Sequence, residues 1–400
     1  MEQIKGGITA VDRFLAAGMS AGIKKTEKAD LALLFCETPC VVAGVFTRNR
    51  FPAPPLLLDK KHLKKGRGRA IIINSGNANA FTGEAGYRDA ETMTEVTARA
   101  LKISQETVYV ASTGVIGQPL PMEKIVDAIP RLVPRLSRDG GRAAAEAIMT
   151  TDTFSKEVAW VGKVGQETIR VGGFAKGAGM IHPNMATMLA FLSTDAAIAR
   201  PLLQEALRHA VDRSFNSISV DGDTSTNDMV LCFASGQRGR EIRSKGKGYQ
   251  AFSSLLEAAC LSLAKMVAKD GEGATKLIEI RVVGAASDRA AKRVAESTAR
   301  SNLVKTAFFG EDANWGRIIA AIGNAGVPVR PDRIDLAFGA VSLVRGGTYL
   351  GKEREAEVAL LLKQREILLT IDLHSGKGAA TFWTCDLGFD YIKINASYRS

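Results

Sequence analysis

The segment KGAGMIHPNMATMLAF, residues 176–191, joins a glycine-rich loop to an apolar strand and places one threonine, Thr187, at the junction. Threonine is common in strands, so one interpretation is that Thr187 simply begins the strand. The other interpretation is chemical. A threonine hydroxyl becomes a nucleophile when a base lies beside it, and cleavage of the preceding peptide bond supplies that base as the residue's own α-amine.

Self-cleavage before Thr187 makes three demands on the neighbouring sequence. The preceding residue must be small so that the hydroxyl reaches its carbonyl, and Ala186 is small. The upstream chain must bend, which the glycines of KGAGM and Pro183 allow. The downstream chain must hold the new N-terminus rigidly, and TMLAFL has the apolar composition of a buried strand. The segment therefore fits a cleavage site between Ala186 and Thr187.

The composition describes a globular chain with a large core. Its 400 residues are 46% hydrophobic and 24% charged, which favours two domains. The N-terminus lacks a signal-peptide pattern, and no apolar run approaches the roughly 18 residues that span a bilayer, so we expect a cytoplasmic protein without a membrane partner. The five cysteines are scattered and the four histidines lack ligand spacing, so neither disulfides nor a zinc site is expected.

The net charge of +11 raises the question of nucleic acid binding. Two basic stretches, residues 59–69 and 236–250, carry much of this charge, and neither interleaves aromatic residues that would stack on bases. We interpret both as solvated surface, with attraction of small anions as a compatible role. No nucleic acid partner is expected.

The loop VDGDTSTND invites comparison with a calcium-binding EF-hand. Asp221, Asp223 and Ser225 follow the first three ligand positions of such a loop. The sixth position holds Thr226 in place of glycine, and the twelfth holds Cys232 in place of a bidentate glutamate. No metal is therefore predicted.

Short apolar, β-branched runs alternate with amphipathic segments along the whole chain, which predicts an α/β fold with several sheets. The predicted strands include RAIIINSG, ETVYVASTG, TMLAFLSTDA and a hairpin of EVAWVGK with ETIRVGGFAKG. Helical periodicity marks DAETMTEVTARALKI, ARPLLQEALRHAVDRS, YQAFSSLLEAACLSLAKMVAK and SDRAAKRVAESTARS. LVKTAFFG is predicted as a strand, and the tail from residue 367 as a run of strands with turns.

The junction segment resembles the processing site of the ornithine acetyltransferase family, also called bifunctional glutamate N-acetyltransferase/amino-acid acetyltransferase, whose precursor cleaves itself before the threonine of ATML. The resemblance extends over the whole chain and is carried by six further motifs: INSGNANAFTG, ASTGVIG, MTTDTFSK, SISVDGDTSTND, FGEDANWGRI and INASYRS. It implies a self-cleaving, N-terminal-nucleophile-like α/β sandwich, shared with certain aminopeptidases, with a smaller α/β subdomain at roughly residues 276–380. It also implies an α chain of residues 1–186 and a β chain of residues 187–400, assembled as an α2β2 heterotetramer.

The resemblance also assigns the site residues. Thr187 is the nucleophile, and Thr113 with Gly114 forms the oxyanion hole, although a strand-ending turn alone would also explain ASTGVIG. In the same way Lys176 fits a solvated loop lysine and Glu272 fits a helix-ending turn. The implied substrate-binding residues are Thr150, Lys176, Thr187, Glu272, Asn395 and Ser400, with Thr151 and Thr153 as alternatives to Thr150.

The implied activity is transfer of the acetyl group of N2-acetyl-L-ornithine to L-glutamate through an acetyl-threonine intermediate, in arginine biosynthesis. No cofactor is implied, and the use of acetyl-CoA as a further co-substrate is left open. One tension follows from the charges. A Glu272 that pairs with the δ-ammonium of ornithine would repel the side chain of glutamate by roughly 4 kcal/mol for unit charges 4 Å apart at an effective dielectric of 20.

Two other functions fit parts of the sequence. A self-cleaving aminopeptidase would release acyl or aminoacyl groups to water instead of to glutamate, and an assay with and without glutamate separates it from the transferase. A non-enzymatic basic binding protein, in which Thr187 is structural, would remain one intact chain of 400 residues on a denaturing gel.

Overall fold

The computed structural model describes residues 1–182 and 188–397, which form two compact units. The first unit comprises Met1–Asn216 and Asp223–Val267, and the second comprises Ser217–Gly222 and Ala268–Arg399. Each unit has its own mixed sheet. The subdomain expected at roughly residues 276–380 lies within the second unit.

The described residues contain sixteen strands: β1 Glu2–Ile4, β2 Phe14–Met19, β3 Leu31–Phe46, β4 Arg67–Asn77, β5 Val108–Val115, β6 Lys156–Val164, β7 Glu167–Lys176, β8 Leu189–Ile198, β9 Ile218–Ser219, β10 Met229–Ile242, β11 Leu277–Ala285, β12 Asp335–Phe338, β13 Val341–Arg345, β14 Thr348–Tyr349, β15 Glu366–Asp372 and β16 Gly378–Cys385. The predicted strands RAIIINSG, ETVYVASTG and TMLAFLSTDA correspond to β4, β5 and β8, and the predicted hairpin is formed by β6 and β7.

The same residues contain eleven α-helices: α1 Pro54–Leu63, α2 Gly83–Leu101, α3 Met122–Leu132, α4 Gly141–Ala147, α5 Arg200–Arg213, α6 Lys247–Lys269, α7 Asp288–Arg300, α8 Asn302–Phe309, α9 Trp315–Gly323, α10 Lys352–Leu362 and α11 Phe389–Ser397. Five short 3-10 turns complete the regular structure: Ile8–Ala10, Gln105–Thr107, Val133–Arg135, Phe215–Ser217 and Pro331–Arg333.

The sheet of the first unit has the strand order β1-β6-β7-β8-β10-β3-β4-β5, with β2 paired to β3. Successive side chains of a strand point to opposite faces, so Ile71 and Ile73 of β4 enter one core while Ile72 enters another. The first core also contains residues of α4, and the second contains residues of α2 and α3. Because both faces are covered, the middle of β4 is apolar at successive positions, as AIII at residues 70–73 is.

Two pairs of parallel strands fix the strand ends that lie next to the candidate site residues. β8 pairs in parallel with β10, and the backbone N–H of Met229 donates to the carbonyl of Met188 at 3.2 Å. β4 pairs in parallel with β5, with Gly76 opposite Gly114. The start of β8, two residues after Thr187 in the chain, is thereby fixed to the sheet that also carries ASTGVIG.

Helix α6 is long and apolar enough to cross a membrane, as judged by length and composition, and among the described residues it is the one helix of this kind. More than half of its most apolar stretch is buried, with Phe252, Leu256 and Leu263 fully inaccessible to solvent. The indole N–H of Trp160 in β6 donates to the Ser262 hydroxyl at 3.2 Å, so the helix packs on this sheet.

The second unit has a sheet of order β14-β13-β12-β15-β11-β16-β9. Two sequence predictions in this unit are wrong. LVKTAFFG forms helix α8 instead of a strand, because the Ser301 hydroxyl caps it by accepting the N–H of Val304 and because Val304 and Phe308 bury one helical face. The end of the tail forms helix α11 instead of a strand, and one turn of it is closed by the Asn395 side-chain N–H on the Tyr391 carbonyl at 3.0 Å.

Candidate active site

The turn at the end of β5 requires glycine at position 114. Gly114 has φ of +131°, a conformation that other residues rarely adopt. A Cβ atom there would lie 2.4 Å from the carbonyl carbon of Gly76 and 2.5 Å from the backbone nitrogen of Asn77. The two strands approach too closely at this point for any side chain. The Thr113 hydroxyl and the Gly114 backbone are therefore held at one fixed place beside the end of β4.

The loop VDGDTSTND, in the part that belongs to the first unit, ties this turn to the junction segment. The side-chain amide of Asn227 donates to the carbonyls of Ala78 and Ser112, at 2.5 and 2.9 Å. The Thr224 hydroxyl donates to the carbonyl of His182 at 2.8 Å. The loop thus holds two pieces of backbone in place. One is Ser112, next to Thr113, and the other is His182, the last described residue before the junction. Within the described chain, no group of three or more His, Cys, Asp or Glu side chains is arranged to hold a metal ion.

Lys176, at the end of β7, joins two of the predicted site residues. Its ammonium group donates to the Thr150 hydroxyl at 2.7 Å and to the Thr113 hydroxyl at 3.3 Å, and it lies 3.9 Å from a carboxylate oxygen of Asp152. Lys176 is only 8% exposed, so the alternative of a solvated loop lysine is wrong. Of the three threonines considered in MTTDTFSK, Thr150 is the one that these hydrogen bonds connect to Lys176.

A buried ion pair that was not predicted from the sequence supports this arrangement. The side chains of Asp152 and Lys156 are fully buried, and they form a hydrogen bond of 2.7 Å. The same carboxylate accepts the backbone N–H groups of Thr150 and Gly177, at 3.0 and 2.7 Å. Asp152 therefore fixes both Thr150 and the residue after Lys176. Its signal in the sequence was the spacing Asp-x-x-x-Lys inside MTTDTFSK.

The charges around Asp152 determine its titration. Burial opposes ionisation, but the charges of Lys176 and Lys156 outweigh it and lower the pKa of Asp152 from 3.8 to about 2. The folded chain thus binds this proton less readily than the unfolded chain. The resulting stabilisation is present above about pH 4 and is lost as the pH falls from about 4 towards 2.

Replacement of Asp152 by Asn should therefore destabilise the chain most at neutral pH. The variant leaves two lysine charges without their buried partner, and we expect the free energy of unfolding at pH 7 to fall by about 3–5 kcal/mol. Urea unfolding at pH 7 and pH 3 measures the difference from the wild type, which should shrink at the lower pH. The exposed Asp127→Asn on α3 serves as the control, and an equal difference at both pH values would contradict the assignment.

A second buried acid, Asp228, lies where β10 begins next to the start of β8. Its Oδ2 is buried without a hydrogen-bond partner among the described residues. Burial raises the pKa of Asp228 well above its ordinary value, against opposing hydrogen bonds and charges that include the Ser225 hydroxyl, Lys176 and the backbone N–H of Met188. A carboxyl group thus contacts the residue that follows Thr187 in the chain. Asp228 ends the motif SISVDGDTSTND, but no role for this aspartate was predicted from the sequence.

The second unit brings together two other predicted residues. The side-chain amide of Asn395 in α11 donates to Glu272 Oε2 at 2.7 Å, and Glu272 is buried in the turn that follows α6. Glu272 therefore lies in the predicted helix-ending turn, and its carboxylate is also oriented by the hydrogen bond from Asn395. Three predicted positions, Ala186, Thr187 and Ser400, lie outside the described residues.

Known proteins resemble this chain closely. A family model described as the ArgJ family matches residues 15–400. The chain is 51% identical to the arginine biosynthesis bifunctional protein ArgJ of Symbiobacterium thermophilum, over all of both chains, and 50% identical to that of Geobacter sulfurreducens, over 98% of this chain and 100% of the relative. The crystal structure of ArgJ from Bacillus halodurans matches with a TM-score of 0.52 and 45% identity, over 53% of this chain and 100% of that chain. The predicted α/β fold is confirmed by the two mixed sheets and by this structural match.

Proposed function

The chain belongs to the ArgJ family, and from this premise we infer that it transfers the acetyl group of N2-acetyl-L-ornithine to L-glutamate. It is a glutamate N-acetyltransferase of arginine biosynthesis. The observation that supports this function in the structure is the buried ammonium group of Lys176, which joins the Thr150 and Thr113 hydroxyls. That arrangement offers a carboxylate site next to a turn with two hydrogen-bond donors.

Thr187 is the proposed nucleophile for both self-cleavage and acetyl transfer. Its hydroxyl attacks the carbonyl of Ala186, the peptide becomes an ester by N-to-O acyl shift, and water hydrolyses the ester to give chains of 186 and 214 residues. The freed α-amine has an ordinary pKa of about 7.7–8.0, so it can accept the hydroxyl proton near neutral pH. The mature protein is proposed to be a cytoplasmic α2β2 heterotetramer.

Thr113 and Gly114 are proposed to stabilise the oxyanion of the tetrahedral intermediate. The Lys176 ammonium donates to the Thr113 oxygen, so the hydroxyl hydrogen of Thr113 is available for another acceptor. Donation from a cation also makes this hydroxyl a stronger donor. The close approach of β4 and β5 prevents the turn from moving away as charge develops.

The substrate carboxylate is proposed to bind Lys176 and Thr150. Asp152 lies 3.9 Å from Lys176 and offsets part of its charge, so the site accepts a carboxylate without holding it too strongly. Glu272, oriented by Asn395, is proposed to bind the δ-ammonium group of ornithine. Ser400 is proposed as the remaining substrate contact.

Acetyl-CoA is proposed as a second donor to the same threonine. The support is that the relatives with 51% and 50% identity carry the name bifunctional protein. No resident cofactor is needed for either donor, because the threonine itself carries the acetyl group between the half-reactions.

Intact-mass measurement of the β chain tests this function. Incubation with N-acetylornithine alone should add about 42 Da at Thr187, as covalent catalysis requires, and addition of glutamate should remove it with formation of N-acetylglutamate. Acetyl-CoA in place of N-acetylornithine tests the second donor. An adduct that persists in the presence of glutamate and disappears only into water would favour the aminopeptidase instead.

A further inference from the structure

The loop between β2 and β3 is held in one shape by a buried carboxylate. Asp30 is fully buried and accepts the backbone N–H groups of Ala21, Ile23 and Lys24, at 2.6, 2.6 and 2.9 Å. Three hydrogen bonds to one carboxylate leave the loop little freedom. The backbone of Lys24, and with it the position from which the side chain extends, is therefore fixed.

The side chain of Lys24 extends from this loop to the site residues. A Cβ added to Gly76, which pairs with Gly114, would lie 2.9 Å from Lys24 Cγ, so the lysine stem covers that end of β4. The ammonium group donates to the carbonyls of Ala29 and Met149, each at 2.8 Å. Its third N–H has no partner among the residues that the structure describes.

Lys24 and Lys176 are anchored on consecutive residues. Lys24 donates to the Met149 carbonyl, and Lys176 donates to the hydroxyl of Thr150, the next residue. Consecutive Cα atoms are about 3.8 Å apart, so the two ammonium groups bind adjacent residues, Lys24 at a backbone carbonyl and Lys176 at a side-chain hydroxyl. A ligand with two carboxylates separated by a short carbon chain fits such a pair of cations.

Positive charge exceeds negative charge in this part of the first unit. The charges that act on Lys24 come from two acids, Asp30 and Asp152, and from two further lysines, Lys28 and Lys176. Lys156 also faces Asp152, and burial raises the pKa of Asp228, the acid near Lys176, so that it ionises less readily. Burial lowers the pKa of Lys24 to about 8, Asp30 opposes this, and Lys176 lowers the pKa further. The ammonium form of Lys24 therefore gains more from an added anion than an exposed lysine does.

We propose that Lys24 binds the side-chain carboxylate of the acceptor glutamate while Lys176 binds the α-carboxylate. This inference rests on the proposed function. It explains how an enzyme can use a donor with a cationic side chain and an acceptor with an anionic one. A glutamate side chain held by Lys24 does not need Glu272, whose carboxylate would repel it. Lys24 is thus a specificity residue for the second half-reaction.

The Lys24→Gln variant tests the proposal, because glutamine keeps N–H donors for the two carbonyls while removing the charge. Acetylation by N-acetylornithine should stay within about twofold of the wild-type rate. The KM for glutamate in removal of the acetyl group should rise about 10- to 100-fold, the range for loss of a charged hydrogen bond. The rate with glutamine as acceptor should not fall. The ratio of kcat/KM for glutamate to kcat/KM for glutamine should therefore decrease by the same factor as the KM for glutamate rises.

Three further variants make the result decisive. Lys25→Met, at the exposed neighbouring lysine, should change neither half-reaction, and Lys24→Arg should restore most of the glutamate preference. Lys24→Met repeats the comparison if Lys24→Gln does not fold. An equal loss for glutamate and glutamine, or an equal loss in the acetylation step, would make Lys24 merely structural and overturn the proposal. Failure of the wild type to accept acetyl from N-acetylornithine would instead contradict the proposed function.

Discussion

The Thr187→Ala variant should migrate as one chain of 400 residues and should transfer no acetyl group. Both reactions need the hydroxyl, because self-cleavage and acetyl transfer each begin with its attack on a carbonyl carbon. Loss of a covalent nucleophile lowers turnover on the order of 10⁶-fold, which is below detection in an ordinary assay. A denaturing gel should show one band of 42.7 kDa, whereas the wild type should show two bands of about 20 and 23 kDa.

Thr187→Ser is the matched control, since it keeps a hydroxyl and, after cleavage, an α-amine. It should process at least in part and should acquire the acetyl adduct of about 42 Da on its β chain. Normal α and β bands from Thr187→Ala would refute the assignment of the nucleophile. An uncleaved wild type would favour the non-enzymatic binding protein instead.

The sequence predicted the first unit best where local pattern and tertiary burial agree. Residues 70–73 of β4 and 108–111 of β5 are apolar at successive positions because both sheet faces are covered, so the sequence alone indicates that they form strands. LVKTAFFG was misread for the opposite reason. Its β-branched and aromatic residues favour a strand, but the Ser301 cap and the burial of Val304 with Phe308 decide in favour of a helix.

The resemblance named the candidate site residues one by one, but it did not give the contacts between them. Thr113 and Lys176 are 63 residues apart in the chain, and only the fold brings the hydroxyl within 3.3 Å of the ammonium group. Asp152 and Lys156 looked like ordinary charged residues, because their complete burial depends on elements distant in sequence. Lys24 belongs to no chemical motif at all. Its relation to Thr150 arises from a carbonyl contact with Met149.

Gly114→Ala should lower kcat about 10³-fold with a much smaller change in KM. The added Cβ would lie 2.4 Å from the Gly76 carbonyl carbon and 2.5 Å from the Asn77 nitrogen, and both are backbone atoms that cannot rotate away. β5 must shift from β4, which displaces the Thr113 hydroxyl and the N–H of residue 114 together. Loss of one oxyanion donor costs about 10²- to 10³-fold, mainly in the transition state, so kcat should carry the effect.

Gly117→Ala provides the matched control for this variant. Gly117 lies in the same turn and also has positive φ, at +80°, but a Cβ there meets nothing within 4 Å. Both variants share the backbone strain, so a difference in kcat between them isolates the displacement of the donors. Turnover should be expressed per active threonine, counted from the amount of acetyl adduct, so that incomplete processing does not lower the measured kcat.

Equal kcat values for Gly114→Ala and Gly117→Ala would remove Gly114 from the oxyanion hole. A rise in KM alone would make the turn a substrate-binding element, because such a pattern reflects contacts made equally in the ground state and the transition state.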